Sequence, residues 1–406
     1  MENRYDKYKD SGIAWIGEIP EHWEVCSIKQ IMKNKSIKGF PNETVLSLYR
    51  DFGIIPKDSR DDNHNVTSED TSNYKLVENG DFVINKMKAW QGSMAISDFK
   101  GIISPAYYIC KIFSPKVVRK YIHYLLRDES YKAEYMRLST GMRIGQWDLN
   151  IDDFLQINTI LPLLSEQQSI ATYLDQKCGE IDELITLQEE MITKLQSYKQ
   201  SVITEAVTKG LDKNVPLKDS GIEWIGEIPE HWKITKIQYL AQLKSGYNLT
   251  TEEIKDSGLY PVYGGNGIRG YYEKYFLEGD YVLIGRQGAL CGNINYSTGK
   301  SWATEHAVVC YPKTKYITKW FGELLRVMNL NQYSLAAAQP GLAVERIKLL
   351  PIPIIPLSEQ QTIANYLDQK CSEIDELISI KQQKIEKLKD YKKSLIFECV
   401  TGKRKV

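Results

Sequence analysis

LSEQQSIATYLDQKCGEIDELI, residues 164–185, returns almost unchanged as LSEQQTIANYLDQKCSEIDELI, residues 357–378. Each copy opens a segment whose apolar residues step by four and three, the spacing of one face of a coiled-coil helix. In the first segment the stripe is Leu174, Cys178, Ile181, Ile185, Gln188, Ile192, Leu195, Lys199 and Val202. In the second it is Leu367, Cys371, Ile374, Ile378, Lys381, Ile385, Leu388, Lys392 and Leu395. The spacing predicts two helices, each about 44 residues or about 65 Å long. Ser165 with Gln168, and Ser358 with Gln361, have the spacing of a capping box, and Gly210 and Gly402 stand where a C-terminal cap belongs. The stripe is wider than a helix pair needs: Leu184, Leu187 and Met191 extend it in one copy, Leu377 and Ile380 in the other. Residues 164–210 carry 4 basic and 8 acidic side chains, residues 357–406 carry 10 and 8. That imbalance favours pairing of one helix with the other, although such charges also suit a solvated face.

A second repeat precedes each helix. DSGIAWIGEIPEHW (10–23) and DSGIEWIGEIPEHW (219–232) differ at one position. The chain therefore reads as two globular segments, each followed by a long helix. The globular segments hold short β-type runs broken by Gly, Pro, Asn and Asp, such as GDFVI (80–84) and GDYVLI (279–284), and their interiors diverge although their ends match. The fold class expected is mixed α/β, with a repeated framework and a variable surface.

Formal charge is zero, 52 basic against 52 acidic residues, so no global basic imprint marks a nucleic-acid partner. A local basic groove is compatible with that balance. The 26 tyrosines and 8 tryptophans suit either broad polar interfaces or β-rich cores. Seven scattered cysteines, with no C-x-x-C pair, point to a reducing cytoplasm and no structural zinc. No signal peptide and no membrane-spanning apolar run are expected. His22 and His231, in the opening motifs, read as packed or capping residues, since no second ligand stands at metal spacing.

The motifs SGI-x-WIGEIPEHW, GD-[FY]-V and LSEQQ-x-I-A-x-YLDQKC-x-EIDELI, each twice and in one order, resemble the specificity (S) subunits of Type I restriction-modification systems across nearly the whole chain. The resemblance implies a target recognition domain at residues 1–163, a spacer helix at 164–210, a second recognition domain at 211–356 and a second spacer helix at 357–406. It also implies that the helices pack antiparallel with a pseudo-twofold relation, joining and separating the two domains. The expected partners are double-stranded DNA read as a split site, two methyltransferase subunits docked on the spare apolar flank, and restriction/translocase subunits. S-adenosylmethionine, ATP and Mg belong to those partners, and this chain would be non-catalytic.

Base reading needs Arg, Lys, Asn or Gln on loops close to DNA. The first domain offers Lys86, Lys88, Trp90 and Gln91, then Arg143 and Gln146; the second offers Tyr263, Asn266, Arg269, Arg286 and Gln287, then Gln339. The GD turns place Lys86 and Lys88 opposite the neighbourhood of Arg286. Each such residue, taken singly, reads more readily as a turn or surface residue than as a base reader, and the GD pairs themselves as structural, glycine supplying a positive φ and aspartate capping the turn. Tyr263-Gly264-Gly265-Asn266-Gly267 also resembles a methyltransferase cofactor loop, but no N/D-P-P-Y/F tetrad and no Walker loop accompany it. Two other functions stay open on the residues alone: a self-contained DNA methyltransferase or nuclease, and a coiled-coil adaptor that binds protein.

Overall fold

In the first globular segment Phe82, Val83 and Ile84 are fully buried, the mark of a strand covered on both faces. The computed structural model describes residues 4–49, 53–60, 70–141, 147–288, 291–334 and 341–406. Its contacts divide the chain into two units, Met1–Gln188 with Gln383–Val406, and Glu189–Gln382. Each unit holds one globular segment and half of each long helix.

The first unit is built on an antiparallel sheet of β1 (Met32–Lys35), β2 (Phe82–Asn85), β3 (Met94–Ile96) and β4 (Tyr107–Ile112), in the order β1-β4-β2-β3. Side chains of β2 alternate between two cores, as a period of two requires. Phe82 and Ile84 enter the main core with Tyr121, Leu125 and Leu126 of helix Arg119–Arg127, while Val83 joins a smaller cluster with Ile54, Ala95 and Ile109. Burial of each contributes roughly 1.5–3 kcal/mol.

The second unit repeats the sheet with β5 (Ala241–Ser245), β6 (Tyr281–Gly285), β7 (Ile294–Ser297) and β8 (Ala307–Pro312), in the order β5-β8-β6-β7. Corresponding partners differ by 200 in number: Phe82 faces Cys110 and Val282 faces Cys310, and so on to Asn85 with Tyr107 and Gly285 with Ala307. The Gly-Asp letters, 80–81 and 279–280, differ by 199. The second copy thus carries one more residue between the turn and the paired strand, and Tyr281 occupies the place that Asp81 holds in the first: Tyr281 pairs with Ser297, and the Asp81 carbonyl accepts from the Ser97 amide. Gly80 and Gly279 do take positive φ, 88° and 123°. Asp81 Oδ2 accepts from the Glu78 amide at 2.7 Å, closing its turn as expected. Asp280 has no such side-chain bond among the described residues, so there the expectation of a capping aspartate is corrected.

The two long helices run over Leu164–Lys209 and Leu357–Val400. In the first unit Ile170, Leu174, Cys178 and Ile181 share a core with Leu395, Cys399 and Val400; in the second Val202, Ile203, Ala206 and Val207 share one with Ile363, Leu367 and Cys371. The start of one helix meets the end of the other in each case, so they pack antiparallel. Lys392 bridges both oxygens of Asp182 at 2.7 Å in the first unit, and Lys199 bridges both of Asp375 at 2.6–2.7 Å in the second. Solvated pairs of this kind contribute under about 1 kcal/mol, but both fix the same register. Leu184, Leu187, Leu377 and Ile380 stay outside the seam, 43–52% exposed, and Met191 is half-buried.

The helix starts differ from the capping boxes expected at Ser165 and Ser358. Glu166, three residues after Leu163, accepts from the Leu163 amide at 3.3 Å, and its counterpart Glu359 takes the indole N–H of Trp232 at 3.0 Å instead, because Pro356 at the matching position has no N–H to cap. Gln168 and Gln361 bond along the helix to Thr172 and Asn365. The opening motifs close on the helix ends: Gly402 (φ 74°) lies against Pro20 and Trp23, and Gly210 (φ 77°) against Trp232. An added Cβ on Gly402 would fall 2.4 Å from Pro20, so the close approach itself requires glycine. The histidines of these motifs are exposed rather than packed, and each bonds a glutamate side chain at a helix start, His22 with Glu166 at 2.9 Å and His231 with Glu359 at 3.0 Å.

His123, largely buried on helix Arg119–Arg127, accepts from the Ile96 amide at 3.2 Å and lies 2.7 Å from Arg127 Nη1. Burial, then the adjacent guanidinium, pushes its pKa down from the ordinary 6.5 to about 3. The unfolded chain therefore binds the proton first. Stability present above pH 6.5 is lost as pH falls toward 3, at a limiting slope of about 1.4 kcal/mol per pH unit. Urea midpoints measured between pH 7 and 5 are expected to fall for this protein and to flatten in His123→Gln. Equal slopes would show that this imidazole does not control acid stability.

Candidate nucleic-acid interface

Equivalent strands end at equivalent places. After β2, the Lys86 amide donates to the Ala106 carbonyl at 3.3 Å, and the Lys86 carbonyl accepts from Leu149 at 3.0 Å; after β6, Arg286 makes the same two bonds, to His306 and from Leu342, at 2.9 Å each. Lys86 is thus the counterpart of Arg286, Met87 of Gln287, and Ala106 of His306. The scaffold is shared here and the side chains are not.

A cavity opens at this point in each unit. The first, about 370 Å³, is lined by Asn85, Met87, Lys88 and Lys57 among others. Lys86 and Lys75 stand over the ring of Tyr108 at 5.9 and 5.5 Å, and Lys75 donates to the Tyr107 carbonyl at 2.6 Å. Burial, then the neighbouring charges of Lys86 and Lys38, hold the Lys75 ammonium below its ordinary range. Lys86 and Lys88 form no ion pair among the described residues. The second cavity, about 470 Å³, is lined by Gly265, Asn266, Arg269, Gln287 and His306. Arg286 beside it is half-buried and donates to Ser245 Oγ at 3.0 Å.

Other candidates fall elsewhere. Tyr263 is 8% exposed and packs with Leu283 and Val309, which corrects it from base reader to core residue. Trp90 and Gln91 form a single 3-10 turn; the Trp90 indole donates to the Met87 carbonyl at 3.2 Å and stacks edge-on to Trp147 at 5.2 Å, so it shapes the loop that carries Lys88. Arg143, Gln146 and Gln339 lie outside the described residues. His306, which lines the cavity, and Asn293 and Ser245, which bond Asn266 and Arg286 beside it, escaped the sequence because each comes from a neighbouring segment. So did an aromatic group in the second unit, where Phe276 lies edge-on to Tyr247 and Trp302 at 4.8 and 5.0 Å. Among the described residues no group of three or more His, Cys, Asp or Glu side chains is placed to hold a metal ion, and no helix is long and apolar enough to cross a membrane.

The family model of the Type I restriction modification DNA specificity domain matches residues 20–196 and 229–390. The chain belongs to this family. Each match takes in the repeated four-stranded sheet and most of one long helix. A stretch of 134 residues is 40% identical to the EcoprrI specificity subunit of Escherichia coli, and covers 32% of this chain and 33% of that protein. Over 96% of this chain and 94% of the relative, identity to the MjaVIII specificity subunit of Methanocaldococcus jannaschii is 25%. Two solved structures share the fold: a chain from work on complex assembly and conformational transition of the type I R-M system (TM-score 0.72, 16% identity, 94% of this chain and 98% of that one), and the HsdS subunit of Thermoanaerobacter tengcongensis (TM-score 0.54, 15% identity, 95% and 98%). In this member of the specificity family the two copies share the sheet and differ in the side chains at its strand ends.

Proposed function

We propose that the chain reads a split DNA site, one half by each unit, and directs methyltransferase and restriction/translocase subunits that supply all the catalysis. The observation that carries this reading is a strand end where two matched sheets present different chemistry: Lys86 and Met87 against Ala106 in one copy, Arg286 and Gln287 against His306 in the other. Two copies of one framework with different side chains at one strand end suit two half-sites of different sequence. S-adenosylmethionine, ATP and Mg are assigned to the partners. The exposed Leu184, Leu187, Leu377 and Ile380 are the proposed seats of the methyltransferase subunits.

Mapping methylated adenines in cells that co-express this chain with its methyltransferase partner tests the reading. Two defined blocks around a fixed unread gap are expected; a continuous motif, or none, overturns it. Within that assay Lys86→Ala and Arg286→Ala are each expected to relax the base preference about 10-fold or more at one block while the other block stays as defined, the loss typical of one base contact. Equal effects on both blocks would refute the assignment of one half to each unit.

A further inference from the structure

The cavity of the second unit is biased toward hydrogen-bond donors. Gln287 and Asn266 are both exposed, and in both the amide oxygen is already engaged. Gln287 Oε1 lies 3.0 Å from His306 Nδ1, and Asn266 Oδ1 accepts from Asn293 Nδ2 at 2.5 Å. What each amide leaves toward the cavity is its NH2 group, which can only donate. The other nitrogen of His306, Nε2, stands 3.1 Å from Glu305 Oε1; a neutral ring donates to only one of these two oxygens, and the donor bias corresponds to the tautomer with the proton on Nδ1. Arg269 lies across Gly264, where an added Cβ would fall 2.4 Å from the Arg269 Cδ, and it forms no ion pair among the described residues. No carboxylate lines the cavity; Glu305 faces the imidazole.

Three donor groups around one opening, with their acceptor atoms spent elsewhere, fit an edge that offers acceptors. In the major groove guanine alone offers two acceptors, O6 and N7; adenine and cytosine present an amino group that these donors would oppose, and thymine offers the single acceptor O4 beside its methyl group. We infer that Arg269, Gln287 and Asn266 are specificity-determining residues that select guanine in the half-site read by the second unit, with His306 and Asn293 as positioning residues. The inference rests on the half-site reading above and deepens it. The first unit lacks this device, since Met87 and Ala106 stand where Gln287 and His306 do.

Base analogues test it on the full chain assembled with its methyltransferase partner. Duplexes carry the mapped site with single guanines of the second unit's block replaced by 7-deazaguanine, which lacks N7, or by hypoxanthine, which keeps N7 and O6. Binding is expected to weaken about 10- to 100-fold with 7-deazaguanine at one position and little with hypoxanthine. Arg269→Ala and Gln287→Ala are expected to lose that sensitivity, and His306→Ala to lose part of it, with the other block read as before. Indifference of the parent complex to every 7-deazaguanine in the block overturns the inference while leaving a split site intact. Uniform weakening of the variants on all sequences, with a reduced salt dependence, marks phosphate contacts and also overturns it. Absence of any sequence preference in the parent complex would instead bring down the half-site reading, and this inference with it.

Discussion

Gln167→Leu is expected to destabilise the first unit by about 3–5 kcal/mol, more than any single surface change in this chain. Gln167 is fully buried at the first turn of the long helix. Its Oε1 accepts from the Val118 amide at 2.8 Å, and its Nε2 donates to the carbonyls of Lys116 and Pro162 at 2.8 and 2.9 Å. Leucine fills the volume but satisfies none of these groups, and each buried backbone group left without a partner costs about 1–3 kcal/mol. Gln360 repeats the stitch in the second unit, accepting from the Ile317 amide and donating to the Ile355 carbonyl at 2.9 Å each. With two bonds rather than three, Gln360→Leu is expected to cost about 2–4 kcal/mol. Hydrogen exchange at the Val118 and Ile317 amides reads the two sites separately. If protection persists in both variants, something other than the glutamine holds those amides and the stitch is not structural.

The second large effect lies at Asp81. Its carboxylate is buried, 2.5 Å from Lys35 Nζ, and Lys35 also reaches Glu78 at 2.7 Å. Burial pulls the Lys35 pKa down, but the bonds to Asp81 and Glu78 outweigh it and leave the ammonium above its ordinary range. The bonded charge thus stabilises the fold at neutral pH and fails as pH rises through that elevated value. Asp81→Ala leaves the ammonium with one exposed partner and is expected to cost about 3–4 kcal/mol. The double variant Lys35→Met with Asp81→Leu is expected to regain part of that loss, because a hydrophobic replacement of both members of a buried pair is often neutral, while the Glu78 amide still loses its bond to Asp81. The second unit supports this: Tyr281 takes the place of Asp81 and packs on Tyr311 at 5.5 Å, while Lys244, opposite Val309 as Lys35 is opposite Ile109, is exposed. A double-mutant cycle by urea unfolding decides it. Additive losses would show that the two side chains act independently.

What could be foreseen followed the range of the force involved. The heptad stripe is a local period, so the seam from Leu174 to Val202 and its partner from Leu367 to Leu395 were legible residue by residue. The helices begin where expected, at Leu164 and Leu357, but their caps were misassigned because Ser165 and Ser358 match a local capping pattern, whereas the bonds actually made tie Glu166 to His22 and Gln167 to Val118, far away in the chain. The Gly-Asp turns invited an alignment one residue out of step, since a turn is recognised by its letters and a strand by its ladder. At the candidate interface, Lys86 and Arg286 were visible as charged residues beside a turn. Tyr263 was misjudged because a buried tyrosine and a base-stacking one look alike in sequence, and His306 was missed because its meaning comes from Gln287, a neighbour across the sheet.

The first unit is assembled from both ends of the chain. Its core needs Leu395, Cys399 and Val400, and the Tyr121 hydroxyl donates to the carbonyl of Val400 at 3.0 Å. The second unit is a single run of sequence, residues 189–382. On the ribosome the order of completion therefore reverses the order of synthesis. The segment made first waits through the translation of the whole second unit, roughly 10–40 s at about 5–20 residues per second, before its last helix half emerges. Over that interval Trp23 and the floor of the first core have no lid, which makes the earliest part of the nascent chain the part most in need of a chaperone.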